Sequence, residues 1–150
     1  MKEVILYTDG ACSGNPGAGG YAAILKYRSV EKVITGGEAE TTNNRMELLA
    51  VIEGLKALRE KCSVLVYSDS AYVINAFELG WIHSWIKNDW RGADKKPVKN
   101  VELWKQLISL CGLHLVKFNK VKGHADDPMN NRCDKLARAE AAKFITPSAE

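Results

Sequence analysis

Two aspartates follow apolar runs that are typical of buried strands. Asp9 comes directly after the run VILYT, and Asp69 comes directly after VLVYS. If these two strands are adjacent and parallel, their carboxyl ends lie side by side, and that edge is where open α/β sheets bind ligands. Each aspartate taken alone has a plainer interpretation, because aspartate favours turns and helix N-caps. The pair predicts a site provided that the strands are neighbours.

Two further acids lie early in predicted helices. Glu47 falls in the first turn of a helix predicted from about 44 to 60, and Asp134 falls in the last helix. Each acid could have no role other than stabilising its own helix. Glu47 fits a capping box that begins at Asn44, and Asp134 could pair with Arg138 at i,i+4 spacing. Side chains that point toward the sheet edge would instead join the two aspartates.

Four clustered carboxylates would repel one another and raise their own pKa values unless a cation neutralised them. Mg²⁺ suits this role, because it prefers oxygen ligands and commonly combines a few carboxylates with substrate phosphate oxygens. Two such ions about 3.5–4 Å apart can clamp the attacking and leaving oxygens of a phosphodiester displacement. The acids therefore point to metal-dependent phosphodiester chemistry.

The loop VKGHADDPMN carries a histidine that could serve such a site. Beside a metal cluster, His124 could shuttle a proton, although a loop histidine is commonly just solvated. Asp126 and Asp127 follow it, and they could favour its protonated form or cap the last helix.

The glycine-rich stretch TDGACSGNPGAGGY raises the question of nucleotide binding. A P-loop needs a lysine and a hydroxyl after its last glycine, and a dinucleotide fingerprint needs G-x-G-x-x-G opening a helix. Neither spacing is present, and the following GYAAILKY alternates as a strand does. The stretch is therefore predicted to be a hairpin connection, which the Asn-Pro and glycine turn signals favour.

Length and composition describe an ordinary globular chain. It has 150 residues, predicted to form one domain over 1–150, with 46% hydrophobic and 26% charged residues. No apolar run approaches the ~20 residues of a membrane helix and no signal peptide is evident, so we expect a cytoplasmic protein without a membrane partner. The four cysteines form no C-x-x-C pair, which favours reduced thiols over a zinc site. The net charge of +3 is too small to identify a nucleic-acid partner.

The order of predicted elements indicates the fold class. Strands are predicted near 3–9, 20–28 and 32–39, followed by a helix, a strand in SVLVYSDS, a helix from about 70 to 79, a Trp-rich region, a helix from about 100 to 111, a strand in LHLVKFNKV and a last helix to about 144. Short turns favour antiparallel pairing of the first strands, and the later alternation favours parallel pairing. We predict an α/β (α+β mixed) fold, in which helices flank a five-stranded mixed sheet of three antiparallel and then two parallel strands.

Residues 81–100, here called the Trp-rich segment, mix tryptophans with basic side chains. They include Trp81, Trp85 and Trp90, interleaved with Lys87, Arg91, Lys95, Lys96 and Lys99. A charge run is usually a solvated face, but cations beside aromatic rings also suit a duplex backbone. Trp104 falls on the helical pattern of the next segment and is predicted to lie in the core.

Five separated motifs together resemble the bacterial type 1 ribonucleases H. They are YTDGACSGNPGAGGYAAIL, TTNNRMELLAVIEGL, YSDSAYV, WIHSW…ADKKPVKNVELW and VKGHADDPMNNRCDKLA, in the order of that family and over nearly the whole chain. The resemblance implies a ribonuclease H-like fold and Mg²⁺-dependent endonucleolytic cleavage of the RNA strand of RNA–DNA hybrids, with Mn²⁺ as a possible substitute and 5′-phosphomonoester products. By motif, Asp9, Glu47, Asp69 and Asp134 correspond to the metal-binding carboxylates, and His124 to the loop histidine.

The resemblance also implies how a hybrid is read. The 2′-hydroxyls of RNA lie in a wide, shallow minor groove, which small side chains and exposed backbone can approach. The implied substrate-binding residues are Cys12, Gly14, Asn15, Thr42, Asn43 and Asn44 near the groove, and Trp81, Trp85, Lys87, Lys95, Lys96 and Lys99 on a basic protrusion that grips the DNA strand. Asn15 and Thr42 correspond to contacts with a DNA phosphate, although TTNN also suits helix capping. Ala71 stands where many relatives have a glutamine that contacts a base.

Two alternatives remain open. A non-catalytic hybrid- or duplex-binding module would keep the basic segment and lose a metal ligand, whereas all four acids are present here. Another polynucleotidyl transferase on a related fold would not need loops that read 2′-hydroxyls. We therefore expect a monomeric enzyme that binds an RNA–DNA hybrid and needs no obligate protein partner.

Overall fold

The computed structural model describes residues 1–121 and 127–145. Its strands are β1 (Lys2–Gly14), β2 (Gly17–Tyr27), β3 (Val30–Thr41), β4 (Cys62–Ser68) and β5 (Leu115–Lys120). Its helices are α1 (Asn43–Lys56), α2 (Ala71–Glu78), α3 (Trp81–Lys87), α4 (Val101–Leu113) and α5 (Pro128–Ala142). In the part of the chain that the structure describes, no helix is both long and apolar enough to cross a membrane.

The five strands form one mixed sheet in the order β3-β2-β1-β4-β5. The first three strands pair antiparallel, whereas β4 pairs parallel with both β1 and β5. The predicted fold class is therefore confirmed, including the parallel contact between the strands that precede the two aspartates.

The main core lies between the sheet and three helices. Side chains of α1, α2 and α4 pack with those of β1, β2 and β4 in one cluster of buried residues. Trp104 is fully buried within this cluster, as predicted, and its indole N–H donates to the Tyr72 hydroxyl at 3.0 Å. Helix α5 packs against β1, β2 and β3. The backbone of Ala137 and Ala141 approaches Gly20 so closely that a Cβ at Gly20 would clash.

The first hairpin is longer than predicted. Strand β1 continues past residue 9 to Gly14 and turns through Asn15 and Pro16 into β2, which begins at Gly17. Residues 10–14 pair in register with residues 17–21. The sequence prediction placed this stretch in a hairpin connection because of its Asn-Pro and glycine turn signals. Its residues instead pair as strands, and glycine is needed where helices approach the hairpin closely, at Gly10 against α1 and at Gly20 against α5.

Candidate active site

Asp9 and Asp69 lie at corresponding positions on neighbouring parallel strands. The parallel register of β1 and β4 ends at Tyr7 and Tyr67, and each aspartate lies two residues further along the chain, Asp9 within β1 and Asp69 just after β4. The prediction that Asp9 ends a strand was wrong in detail, because β1 continues past it by pairing with β2. The two aspartates nevertheless lie at one edge, where the pairing of β1 with β4 ends.

Glu47 is brought to the same edge by a close contact between β1 and α1. A Cβ on Gly10 would lie 2.6 Å from the backbone nitrogen of Glu47, so only glycine lets the helix approach the strand this closely. The helix is capped by Thr42, whose hydroxyl accepts from the Arg45 N–H at 3.2 Å. The capping box proposed from Asn44 to Glu47 is therefore wrong, and the glutamate side chain is free for other partners.

Those partners are two neutral donors. The Ser70 hydroxyl donates to Glu47 Oε2, and the side-chain amide of Asn43 donates to Glu47 Oε1 at 3.0 Å. Ser70 is buried and is also the N-cap of α2, since its hydroxyl accepts from the Val73 N–H at 3.1 Å. The sequence analysis did not identify Ser70 as a site residue. Its position next to Asp69 in the SDS motif is the signal that could have pointed to it.

Asp134 reaches the cluster from α5. The helix begins at Pro128 with Asp127 as its N-cap, which accepts from the Asn130 N–H at 3.1 Å, so one of the two proposed roles of Asp127 is confirmed. Asp134 also makes the i,i+4 pair that its spacing allows, at 2.7 Å from Arg138. The Arg138 side chain is exposed and that of Asp134 is partly exposed, and such surface pairs contribute little to stability.

The acids, here called the acid cluster (Asp9, Glu47, Asp69 and Asp134), interact electrostatically. Burial, followed by repulsion from Asp69, Asp134 and Glu47, raises the pKa of Asp9 from 3.8 to about 8. Burial also raises the pKa of Glu47 and of Asp69, and further carboxylates add to the effect in each case. Repulsion of this kind requires short separations. The structure therefore brings the four predicted acids into one cluster.

The donor set fits a hard divalent cation, because it consists of carboxylate oxygens close to other oxygen donors. As they stand, no three His, Cys, Asp or Glu side chains among residues 1–121 and 127–145 form a ready metal-binding group. Two of the acids have other partners. Glu47 is bound by Ser70 and Asn43, and Asp134 is turned toward Arg138. The four cysteines are free thiols.

The predicted groove residues meet where the hairpin touches α1. The side-chain oxygen of Asn15 accepts from the backbone N–H of Asn43 at 3.2 Å. Gly14 has a φ of +104°, which glycine adopts without strain. The Cys12 thiol lies within hydrogen-bond distance of the Gly17 and Thr41 carbonyls. Asn15, Asn43 and the neighbouring Asn44 are exposed, so polar side chains stand together beside the acid cluster.

The Trp-rich segment forms a separate surface around α3. The Trp85 ring lies 5.2 Å from that of Trp104, 6.4 Å from that of Trp81 and 6.2 Å from that of Trp90, measured between centroids. The exposed Trp81 is therefore linked to the buried Trp104 through the ring of Trp85. The lysines predicted to meet phosphates are all exposed, namely Lys87, Lys95, Lys96 and Lys99.

An open cleft of about 610 Å³ runs along this surface. It is lined by Trp81, Ser84, Trp85, Asn88, Arg91, Gly92, Ala93 and Lys95. The sequence analysis missed Ser84 and Asn88 as lining residues. Their spacing from the two tryptophans was the available signal, because residues three and four apart share a helix face. The predicted loop histidine, His124, lies outside the described residues, as does Asp126.

Comparison with known proteins agrees with this architecture. The sequence profile of the family described as RNase H matches residues 1–142. A ribonuclease H of Caldicellulosiruptor saccharolyticus is 58% identical over 139 residues, which are 93% of this chain and 96% of that protein. A ribonuclease H of Thermoanaerobacter pseudethanolicus is 60% identical over 137 residues, which are 91% of this chain and 88% of that protein.

Solved structures give the same result. LC9-RNase H1, a type 1 RNase H with the type 2 active-site motif, matches with a TM-score of 0.85 and 27% identity over 97% of this chain and 74% of that one. LC11-RNase H1 in complex with an RNA/DNA hybrid shares the fold, with a TM-score of 0.67 and 20% identity over 95% of this chain and 99% of that one. The chain therefore belongs to the ribonuclease H family, as a bacterial type 1 enzyme that cleaves the RNA strand of RNA–DNA hybrids.

Proposed function

We propose that the acid cluster holds two Mg²⁺ ions with which the enzyme hydrolyses the RNA strand. The observation that carries this proposal is the environment of Asp9, whose pKa is raised to about 8, first by burial and then by the nearby carboxylates of Asp69, Asp134 and Glu47. A chain does not gain stability from carboxylates that repel one another in a buried site, so a bound cation is the simplest reason for their clustering. Mn²⁺ could substitute, since it prefers the same oxygen ligands.

When bound, the ions would stabilise charge on the phosphate and lower the pKa of a water nucleophile. The acid cluster would orient this centre against the scissile phosphate, with Asp9 and Asp69 on the strands and Glu47 and Asp134 on the helices. His124 would move a proton to the leaving group or from water. The products would be 5′-phosphomonoesters.

The hairpin and the start of α1 would recognise the RNA strand. Asn15, Asn43 and Asn44 are exposed beside the acid cluster, and the side-chain oxygen of Asn15 accepts from the backbone N–H of Asn43. Exposed amides of this kind can donate to and accept from 2′-hydroxyls, which distinguish RNA from DNA in the minor groove. Cys12 and Gly14 would line the same contact through their backbone, and Thr42 would contact a DNA phosphate.

The Trp-rich segment would bind the DNA strand. Trp81 and Trp85 line its cleft together with Lys95, while Lys87, Lys96 and Lys99 are exposed nearby. Cations of this kind bind phosphates without reading sequence, and rings can lie against sugars. LC11-RNase H1, which shares the fold, has been solved with an RNA/DNA hybrid. We further propose that the enzyme acts in the cytoplasm, as a monomer without an obligate protein partner.

A substrate panel tests this function. The wild-type protein is incubated with end-labelled RNA–DNA hybrid, RNA duplex and DNA duplex, each with Mg²⁺ and with EDTA. We expect cleavage in one condition of this panel, namely the RNA–DNA hybrid with Mg²⁺, and we expect it in the RNA strand. Cleavage in EDTA would contradict the role of the metal, and equal cleavage of RNA duplex would contradict the recognition of a DNA strand.

A further inference from the structure

The Glu47 carboxylate is held by two side-chain donors, while that of Asp9 accepts from the Gly10 backbone N–H at 2.9 Å. Asp134 faces the exposed Arg138 guanidinium, whereas both oxygens of Glu47 accept from neutral donors, Ser70 and Asn43. A neutral donor fixes the direction of a carboxylate without cancelling its charge. The rotation of the Glu47 carboxylate is therefore restricted without an opposing charge beside it.

Both donors are themselves held in place. Ser70 is 4% exposed, its backbone N–H donates to the Ser68 hydroxyl at 3.0 Å, and its own hydroxyl accepts from the Val73 N–H at 3.1 Å. Because the hydroxyl accepts from the first turn of α2, its hydrogen is left to point toward Glu47. The direction of this donor is therefore set by the N-terminus of a helix.

Asn43 is fixed from the opposite side. Its backbone N–H donates to the Asn15 side chain at 3.2 Å, and its side-chain amide donates to Glu47 at 3.0 Å. One residue thus contacts both the hairpin turn, which is exposed, and a carboxylate of the acid cluster. A shift of the hairpin would move Asn43 and, through it, the carboxylate.

We propose that Ser70 and Asn43 are positioning residues that hold the Glu47 carboxylate in the direction required for the metal, and that Asn43 transmits the position of the hairpin to it. This inference rests on the proposed function, because it assigns the two residues a role toward a metal held by Glu47. Removing a residue that orients a metal ligand typically lowers metal affinity by about 10–100-fold.

The test measures binding of Mg²⁺ alone, by calorimetry and without nucleic acid, so that contacts with a hybrid cannot contribute. Ser70→Gly removes the hydroxyl, while glycine keeps most of the N-cap preference. Ser70→Thr keeps both hydroxyl roles and should restore wild-type affinity. Asn43→Ala removes the amide, and Asn44→Ala is its matched control because Asn44 is the exposed neighbour on the same helix turn. Circular dichroism verifies that each variant is folded.

We expect Ser70→Gly and Asn43→Ala each to weaken Mg²⁺ binding about 10-fold or more, and Asn44→Ala to leave it unchanged. Asn15→Ala should weaken it by a smaller factor, through Asn43. Wild-type affinity in both Ser70→Gly and Asn43→Ala would overturn the positioning role, and wild-type affinity in Asn15→Ala would overturn the link to the hairpin.

Glu47→Gln separates this inference from the function on which it rests. If Glu47→Gln loses Mg²⁺ affinity while Ser70→Gly and Asn43→Ala do not, the metal role of Glu47 stands and the positioning inference fails. If Glu47→Gln binds Mg²⁺ as the wild type does, the assignment of Glu47 as a ligand fails, and the inference fails with it.

Discussion

The acid cluster and the Trp-rich segment place charge in opposite environments. Asp9 is 6% exposed and lies next to like charges, so that its protonation depends on its neighbours. The lysines of the Trp-rich segment are exposed, and the tryptophan rings of the same segment lead to the buried Trp104. Buried charges interact strongly, whereas exposed charges are screened by water and salt. The first region is therefore suited to chemistry and the second to salt-sensitive binding.

The largest expected effect is that of Asp9→Asn on cleavage. The substitution keeps the size of the side chain and removes a charge that would hold a divalent ion. We expect the rate to fall by about 10⁴-fold or more, which corresponds to a loss of about 5.5 kcal/mol or more of transition-state stabilisation. Single-turnover cleavage of labelled hybrid at millimolar Mg²⁺ measures it. A rate near that of the wild type would remove Asp9 from the proposed chemistry.

The same substitution should raise the stability of the metal-free protein. The pKa of Asp9 is raised from 3.8 to about 8, so between these values the folded chain binds a proton that the unfolded chain has lost. The contribution of Asp9 therefore makes stability fall as pH rises through this window. Thermal melting in EDTA from pH 5 to pH 8 should show a shallower decline for Asp9→Asn than for the wild type. Equal slopes would mean that burial of Asp9 costs the folded state nothing.

His124→Ala should give a smaller loss of turnover than a lost metal ligand. General acid–base catalysis contributes about 10²–10⁴-fold, and a proton shuttle does not hold the metal. We expect kcat to fall while KM for hybrid and the affinity for Mg²⁺ change little. Calorimetry with Mg²⁺ provides the check, and a collapse of metal affinity would make His124 a ligand instead.

The Trp-rich segment should affect binding rather than chemistry. In the variant with Lys95, Lys96 and Lys99 changed to Ala, hybrid affinity should fall and its salt dependence should become shallower, by about 0.9 in the log–log slope for each lost phosphate contact. The rate at saturating hybrid should change little. Changing Lys56, Lys61 and Lys143 to Ala removes the same charge from other surfaces and is the matched control. Equal salt slopes for the two triple variants would make the segment a solvated face.

The smallest expected effect concerns His114, a buried titratable group outside both regions. Its Nδ1 accepts from the Cys62 N–H at 3.1 Å, and burial lowers its pKa below the ordinary value of 6.5. The unfolded chain therefore takes up this proton first as pH falls, and stability should decrease below about pH 6.5. His114→Asn, which keeps an acceptor, should weaken this acid sensitivity in thermal melts. The exposed His83→Asn is the control, and an identical acid response in both variants would contradict the role of His114.

The sequence predicted a five-stranded mixed sheet because apolar runs and short turns are local patterns, but the adjacency of the strands before Asp9 and Asp69 was only a condition of the predicted site. The structure meets that condition. The grouping of Glu47 and Asp134 with the two aspartates followed from the resemblance of the motifs, because local chemistry also allowed each acid a role in its own helix. The metal roles of these acids stay predictions, as does the role of His124.

What the sequence did not predict depends on contacts between distant segments. The extension of β1 to Gly14 depends on its pairing with β2, and Gly10 and Gly20 let α1 and α5 approach that hairpin. The hydrogen bond from Ser70 to Glu47 joins residues 23 positions apart, and the residue types alone do not predict that the two side chains meet. The cap at Thr42 rather than Asn44 was open to prediction, because either residue can cap a helix and TTNN contains both.

The central claim is that all four acids hold the metal ions used for cleavage. Its most direct test is single-turnover cleavage of a hybrid labelled in the RNA strand, measured with Mg²⁺ and with EDTA. The variants are Asp9→Asn, Glu47→Gln, Asp69→Asn and Asp134→Asn, with Arg59→Ala as a charge change at an exposed position near the amino end of β4. We predict Mg²⁺-dependent cleavage by the wild type and by Arg59→Ala, and a large loss in each of the four carboxamide variants. Cleavage in EDTA, or wild-type rates in any carboxamide variant, would contradict the claim.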